Sequence, residues 1–306
     1  MKIRIITGLF WAAVAITALV KLDSPLLGIL LIPFTAMACY EICHVAKIKN
    51  KALLWLAVAV AALVPPYMEH HWRLPAFLQL RPVALVAVLA AVFCVLALVK
   101  SEQTRFEHIL FAVLGAVVVP AGLSSLTVLR DLIMTAQRAM VAAEPTAVFI
   151  LSVYMLFFTF CCAWLTDTFA YFVGSKLGKH KLAPKISPKK TVEGAIGGML
   201  CTLIANLGFA LLFNNLFLQG VYKVNLVGIA LLTIPLCMIS ILGDLCFSLM
   251  KRNFDTKDFG RFFPGHGGVM DRFDSLVVVA PGCALLLQWS LDHGFALFYR
   301  QVTEWA

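Results

Sequence analysis

The chain has 306 residues, 61% of them apolar and only 13% charged, with a formal net charge of +9. A soluble globular domain carries about 25% charged and about 45–50% apolar residues, so this composition excludes one and points to a chain solvated by lipid. The nine cysteines lie in apolar stretches without a CxxC pair or a Cys/His cluster. That pattern argues against a disulfide framework or a zinc site and leaves them as small packing residues.

About 20 apolar residues cross a bilayer as a helix. In chain order the candidate spans are 4–20, 25–44, 52–67, 82–99, 107–129, 147–174, 194–219, 224–250 and 276–292. The first, within MKIRIITGLFWAAVAITALVKLD, starts basic and runs apolar for nearly a full span, so it is read as a membrane helix rather than a signal peptide. The third is short and is expected to end at Pro65-Pro66. The sixth and eighth are long and contain acids, Asp167 and Asp244. The expected fold is an all-α integral membrane protein of about nine transmembrane helices. Two regions follow: 1–145 with spans one to five, and 146–306 with spans six to nine and the loops 175–193 and 251–275.

Orientation follows from lysine and arginine, which favour cytoplasmic loops. With the N-terminus in the cytoplasm and the C-terminus outside, alternation places 18 of the 25 basic residues on the cytoplasmic side and 7 outside. Loop 175–193 then carries Lys176, Lys179, Lys181, Lys185, Lys189 and Lys190, and loop 251–275 carries Lys251, Arg252, Lys257, Arg261 and Arg272. A face this basic attracts anionic headgroups or nucleotides. Nucleic-acid binding is not expected, because the charges are scattered over loops and no nucleic-acid module is present.

Both unusual loops follow the spans that carry acids. An ionisable residue within a span costs about 2.5–3.5 kcal/mol on insertion scales and marks function by default. In GDLCFSLMKR, Asp244, Ser248 and Lys251 stand at i, i+4 and i+7 and so share a helical face. The bland alternative is a salt-bridged helix end with a snorkelling lysine. It weakens because GHGGVMDRFDS follows at Gly265–Ser275. Its Gly265, Gly267 and Gly268 permit tight turns and close approach of a phosphate to amides. Between them lies His266. Asp271 and Asp274, three apart, share a face if helical, and Arg272 offers a fork of donors to phosphate. Carboxylates and hydroxyls suit Mg²⁺, which usually shares them with substrate phosphates.

The loop that begins at Asp167 combines its six lysines with Ser187 and Thr191, donors suited to a polyphosphate. A basic loop touching lipid is the plainer reading. Gly194, Gly197 and Gly198 are expected as helix-packing positions. Glu41 is expected to lie at the membrane interface, and His70-His71, with no acids nearby, are not expected to bind metal.

The segment SLMKRNFDTKDFGRFFPGHGGVMDRFD, from Ser248 to Asp274, resembles the signature of the phosphatidate cytidylyltransferase family, the CDP-diacylglycerol synthases. Its serine, Lys-Arg pair, Lys-Asp pair, HGG, Asp-Arg and final Asp all stand at the family's spacing. GKHKLAPKISPKKTVEGAIGG resembles the family's lysine-rich ISP-K-T-EG-GG segment. The resemblance is specific over about residues 165–280. The chain departs from many members in having Thr166-Asp167-Thr168 for Ala-Asp-Ser and Tyr40-Glu41 for Trp-Glu. Both departures keep the acid, and they bear on lipid preference more than on the reaction.

The resemblance implies transfer of a cytidylyl group from CTP to phosphatidic acid in phospholipid biosynthesis. It implies Asp244 and Asp271 as Mg²⁺ ligands, with room for a second cation such as K⁺, and Ser248 and Asp274 close to metal or nucleotide. Lys251, Arg252, Lys257 and Arg272 would hold phosphates beside Gly267 and Gly268, and His266 would orient a phosphate or donate a proton. Ser187, Lys189 and Lys190 would contact CTP or the lipid phosphate, and Asp167 would line the cavity floor. The expected setting is a bacterial inner (plasma) membrane with the site facing the cytoplasm, and a homodimer is compatible with it. The rivals are a CTP transferase for another lipid phosphate, an inactive homologue serving as a scaffold, and an ion-coupled transporter, which predicts inverted repeats that are not seen. A CDP-alcohol phosphotransferase would need its own DGxxAR motif, which is absent.

Overall fold

The structure, a computed structural model, describes residues 25–70, 82–99, 102, 104–140, 145–218, 222–263, 267–293 and 297–300. The expected first span at 4–20 lies outside them. The helices are α1 (Leu26–Val45), α2 (Lys51–His70), α3 (Pro82–Val99), α4 (Phe106–Val113), α5 (Val119–Met140), α6 (Pro145–Phe160), α7 (Thr166–Leu177), α8 (Val192–Leu216), α9 (Leu226–Asn253), α10 (Met270–Phe273) and α11 (Leu276–Asp292). Wider π turns join α4 to α5 at Leu114–Val118 and α6 to α7 at Cys161–Leu165.

Among the described residues, seven helical segments are long and apolar enough to cross a membrane: Leu26–Val45, Lys51–His70, Phe106–Met134, Val148–Leu177, Val192–Leu216, Leu226–Asn253 and Met270–Asp292. They coincide with seven of the expected spans, and α3 covers an eighth. Large apolar side chains stand exposed along them, Leu98 at 75%, Leu285 at 71% and Ile204 at 70%. Contiguous apolar surface of this kind is unfavourable in water and is what a bilayer solvates. The fold is that of a mostly helical integral membrane protein.

One expected boundary is corrected. Pro65 and Pro66 do not end their span, because α2 continues through both to His70. Proline's fixed φ is already helical, and in a membrane helix its cost, a missing donor and a ring pressed on the preceding turn, is absorbed by packing against neighbours. Pro65 is buried in α2. The structure also adds what hydropathy does not reveal: a short antiparallel hairpin of β1 (Lys181–Ala183) and β2 (Ser187–Thr191), and a second ladder of β3 (Tyr222–Val224) with β4 (Phe298–Arg300).

The chain divides into two compact units, Met1–Thr127 with Met250–Val277, and Val128–Leu249 with Val278–Ala306. In the first unit, Cys39, Cys43, Leu53, Ala57, Ala61, Phe93, Ala112 and Ala116 form a buried cluster of mainly small side chains. A Cβ on Gly115 would lie 3.2 Å from the Cys39 sulfur, so α1 and the π turn meet backbone to backbone. In the second unit, the ring of Tyr154 is stacked on Phe209 with centroids 5.5 Å apart and touches Phe213 and Phe298.

Also in the second unit, α7 and α8 pack through glycines, as expected for Gly194, Gly197 and Gly198. A Cβ on Gly194 would come within 2.7 Å of the Ala170 carbonyl, and one on Gly198 within 2.9 Å of the Ala170 backbone. Small residues at such a crossing let two membrane helices approach closely. The contact brings the acid of α7 toward the strand that precedes α8.

Candidate active site

The sequence-predicted residues gather in two clusters, one in each unit. The second unit holds Asp167, Ser187, Lys189, Lys190, Asp244 and Ser248. Asp167 lies in the first turn of α7, directly after the π turn Cys161–Leu165. Such turns often mark functional positions. The preceding Thr166 is fully buried, and its hydroxyl donates to the Cys162 carbonyl at 2.7 Å and meets the Cys237 sulfur at 3.1 Å. These bonds fix where α7 resumes.

Lys190 comes from the hairpin. Strand side chains alternate, so Ser187 and Lys189 point to one face of β2 and Lys190 to the other. The Lys190 ammonium is ion-paired with Oδ2 of Asp244 and lies 3.6 Å from Oδ1 of Asp167. Lys189 is exposed. The hairpin is pinned at its end. Thr191 caps α8 by accepting from the Gly194 amide at 3.1 Å, and Glu193 accepts from the Lys179 and His180 amides at 3.0 and 3.1 Å. Within α9, Ser248 Oγ donates to Oδ1 of Asp244 at 3.1 Å, so the i, i+4 pair meets as expected. Two carboxylates thus converge on one cationic nitrogen, and a hydroxyl holds the remaining oxygen of one of them.

The first unit holds Lys251, Arg252, Lys257, Gly267, Gly268, Asp271, Arg272 and Asp274. His266 and Gly265 lie outside the described residues. Lys251 Nζ contacts Oδ1 of Asp271 at 2.9 Å, with 10% and 6% of the two side chains exposed. The same nitrogen lies 5.2 Å from the centre of the Phe259 ring. Oδ2 of Asp271 accepts from the Phe259 amide at 2.8 Å and the Gly268 amide at 3.0 Å. A single carboxylate therefore gathers a helix end, the loop at Phe259 and the glycine turn.

The turn depends on glycine. Gly267 has φ +89°, a left-handed conformation that side chains disfavour, and its carbonyl accepts from the Phe263 amide at 2.9 Å. Asp271 lies in α10 and Asp274 follows in helical conformation, so the three-residue spacing does place them on one turn. Their roles differ, however: Asp274 is buried and Oδ1 accepts from the Ser275 amide at 2.8 Å. Arg252, Lys257 and Arg272 are exposed. Lys257 lines an open cleft of about 1040 Å³ together with His44, Lys47, Lys49 and Arg261.

Sequence reading missed Glu41. It is 4% exposed, and its carboxylate accepts from the Val269 amide at 3.0 Å and the Met270 amide at 2.9 Å. Those partners are 228 and 229 residues away along the chain. The available signal was an acid inside an apolar span, which is costly unless its oxygens are bonded.

The donor set can be tested against Mg²⁺, which is usually bound by one or two carboxylates plus substrate phosphates and water. Among the described residues no group of three or more His, Cys, Asp or Glu side chains could hold a metal alone. Asp244 fits, since it and Asp167 already converge on a cation, the Lys190 ammonium. Asp271 fits less openly. Three bonds already occupy its oxygens, out of about four acceptor positions on a carboxylate.

The sequence profile described as the Cytidylyltransferase family matches residues 2–290. The chain is 46% identical over 134 residues to a protein of Staphylococcus saprophyticus subsp. saprophyticus named phosphatidate cytidylyltransferase, a match covering 44% of this chain and 49% of the relative. Proteins of the same name from Staphylococcus haemolyticus and Staphylococcus aureus strain COL are 46% and 47% identical over 134 residues, again covering 44% of this chain and 49% of each relative. The chain spans about half the length of the curated relatives it matches. With the profile running over nearly all of it, the chain belongs to the cytidylyltransferase family.

Proposed function

We propose that this protein is a phosphatidate cytidylyltransferase, forming CDP-diacylglycerol and pyrophosphate from CTP and phosphatidic acid. The observation that carries this reading is the buried Lys251–Asp271 pair at the glycine turn, a lysine-carboxylate arrangement inside the segment that matches the family signature. Family membership and the activity for which the staphylococcal relatives are named support it.

The lipid phosphate is a phosphomonoester with a second pKa of about 6, so it is largely ionised at neutral pH and needs no strong base. One of its oxygens attacks the α-phosphorus of CTP in line. A P–O bond forms there, the α–β anhydride bond breaks, and pyrophosphate leaves with the electron pair. The protein's task is to hold two anions together and to meet charge as it grows on the leaving group. The ammonium groups of Lys190 and Lys251, each already oriented by carboxylates, are assigned to phosphate oxygens. Arg252, Lys257 and Arg272 add exposed positive charge, and Ser187 and Lys189 offer further donors. Ser248 orients Asp244, and the Gly267 turn lets backbone amides approach a phosphate. Asp274 steadies the end of α10, and His266 orients a phosphate or donates a proton.

Mg²⁺ is the metal expected here. Asp244, with Asp167 beside it, would hold it in the second unit, Asp271 is the expected carboxylate ligand in the first, and when bound it would neutralise triphosphate charge. The finer topology is part of the same reading: nine spans, N-terminus in the cytoplasm, and both basic loops on the cytoplasmic face of a bacterial inner membrane. CTP is cytosolic, and lysine counting puts both loops on that side.

Label position tests the reaction type. With phosphatidic acid and Mg²⁺, CTP labelled at the α-phosphorus should yield labelled lipid, and CTP labelled at the γ-phosphorus should yield labelled pyrophosphate and no labelled lipid. Label entering lipid from the γ-position would mean a kinase-type transfer and would overturn the proposal.

A further inference from the structure

Glu41 is a buried acid that the chemistry above leaves without a task. It stands on α1, at 4% exposure, in a wall of the basic cleft, yet both its oxygens are turned to backbone amides. Burying an ionised carboxylate is costly unless its oxygens are bonded, and here they are. The amides are those of Val269 and Met270. The preceding amide, of Gly268, donates to Asp271. Three consecutive N–H groups, at 268, 269 and 270, therefore end on two carboxylates, one brought in by α1 and the other being Asp271 itself.

Two glycines are shaped to this arrangement. A Cβ on Gly260 or on Gly268 would collide with the Glu41 carboxylate. The chain on both sides of the glycine turn thus approaches Glu41 as closely as a residue without a side chain allows. Each side also carries a bond to Asp271, from the Phe259 amide and the Gly268 amide. The other Asp271 oxygen holds Lys251. A second contact between α1 and this segment is the tilted pair Phe34–Phe273, with ring centroids 5.5 Å apart.

We propose that Glu41 is a positioning residue for cytidylyl transfer. It clamps the 268–270 backbone to α1 and thereby fixes the Asp271 carboxylate and the Lys251 ammonium that it orients. The kinetic consequence rests on the proposed function, whereas the clamp itself does not. Glu41→Gln keeps the volume but sets an NH₂ against an amide that needs an acceptor, so one of the two bonds is lost without opening a cavity. Gly268→Ala attacks the same contact from the other side.

The test uses the full chain in detergent as wild type, Glu41→Gln and Gly268→Ala. Amide hydrogen exchange is followed by mass spectrometry, beside kcat and KM for CTP and phosphatidic acid. Both variants should exchange about tenfold faster over 267–271, matching a local loss of one such bond, with exchange in α8 unchanged. For Glu41→Gln, kcat should fall about tenfold or more while KM for CTP stays within about twofold. Acceleration spread over all helices with kcat per folded molecule preserved would mean a general stabilising role and would overturn the proposal. So would unchanged exchange at 267–271. Should Glu41→Gln fail to fold, Gly268→Ala decides by the same local criterion. If the wild type transfers nothing from CTP to lipid, the proposed function fails, and the exchange data still decide the clamp.

Discussion

Lys251 and Asp271 stand twenty residues apart in sequence and meet in a 2.9 Å ion pair that is almost wholly buried. Removing one partner of such a pair leaves an uncompensated charge, which typically costs about 3–5 kcal/mol, whereas replacing both is often far milder. Asp271→Asn and Lys251→Met should therefore each lower the thermal unfolding temperature. The double variant should recover much of that loss and remain inactive. Scanning fluorimetry on the four proteins, beside the transfer assay, checks both halves. Full additivity of the two losses in stability would mean the pair is not coupled.

The Asp167–Lys190–Asp244 group predicts a graded series. Ser248→Ala removes one hydrogen bond to a charged oxygen, worth about 1.5–3 kcal/mol, and should lower kcat/KM for CTP by about tenfold or more. Asp244→Asn and Lys190→Gln remove a charge from the centre of the group and should cost more, about a hundredfold. Lys189→Gln, on the other face of β2, should cost less than Lys190→Gln. Steady-state rates for the four variants give the ranking, and equal losses at Lys189 and Lys190 would contradict the strand geometry.

Helix packing in the second unit separates two glycines of α8. Gly198→Leu would drive a side chain into the Ala170 backbone, whereas a Cβ at Gly208 meets nothing within 4 Å. The first substitution should abolish stable expression or lower the unfolding temperature sharply. Gly208→Ala should hold or raise it, since alanine is favoured over glycine inside a helix by about 0.5–1 kcal/mol. Size-exclusion profiles and unfolding curves in one detergent make the comparison.

Topology carries its own prediction. In a background without native cysteines, Lys47→Cys and Lys185→Cys should react with an impermeant thiol reagent only from the cytoplasmic side, and Lys223→Cys only from outside. Labelling of intact cells against inverted vesicles distinguishes them, and reversal at any one position would break the proposed alternation.

Hydropathy made most spans legible, because about 20 lipid-facing residues must be apolar whatever they pack against. The same reading stopped α2 at Pro65-Pro66, since a proline pair signals a helix end in water but is tolerated where lipid and neighbouring helices leave the backbone no better state. The acids and lysines of the site were legible by type and spacing, and Asp244 with Ser248 meets as i, i+4 dictates. What joins them was not. The hairpin that aims Lys190 is too short and too polar to register as strand, and its partner Asp244 lies far along the chain. Glu41 is the extreme case, with its amide partners more than two hundred residues away. Long-range pairing leaves no periodic trace, so the only sign of it was the unexplained acid in an apolar helix.

The measurement closest to the central claim is liponucleotide formation by the purified protein. Wild type and Asp271→Asn, matched for folded protein, are incubated with radiolabelled CTP, phosphatidic acid and Mg²⁺, and the lipid fraction is resolved. The proposed reaction predicts labelled CDP-diacylglycerol from the wild type and almost none from the variant. A wild type that labels no lipid under these conditions, with phosphatidic acid or any other lipid phosphate, would contradict it.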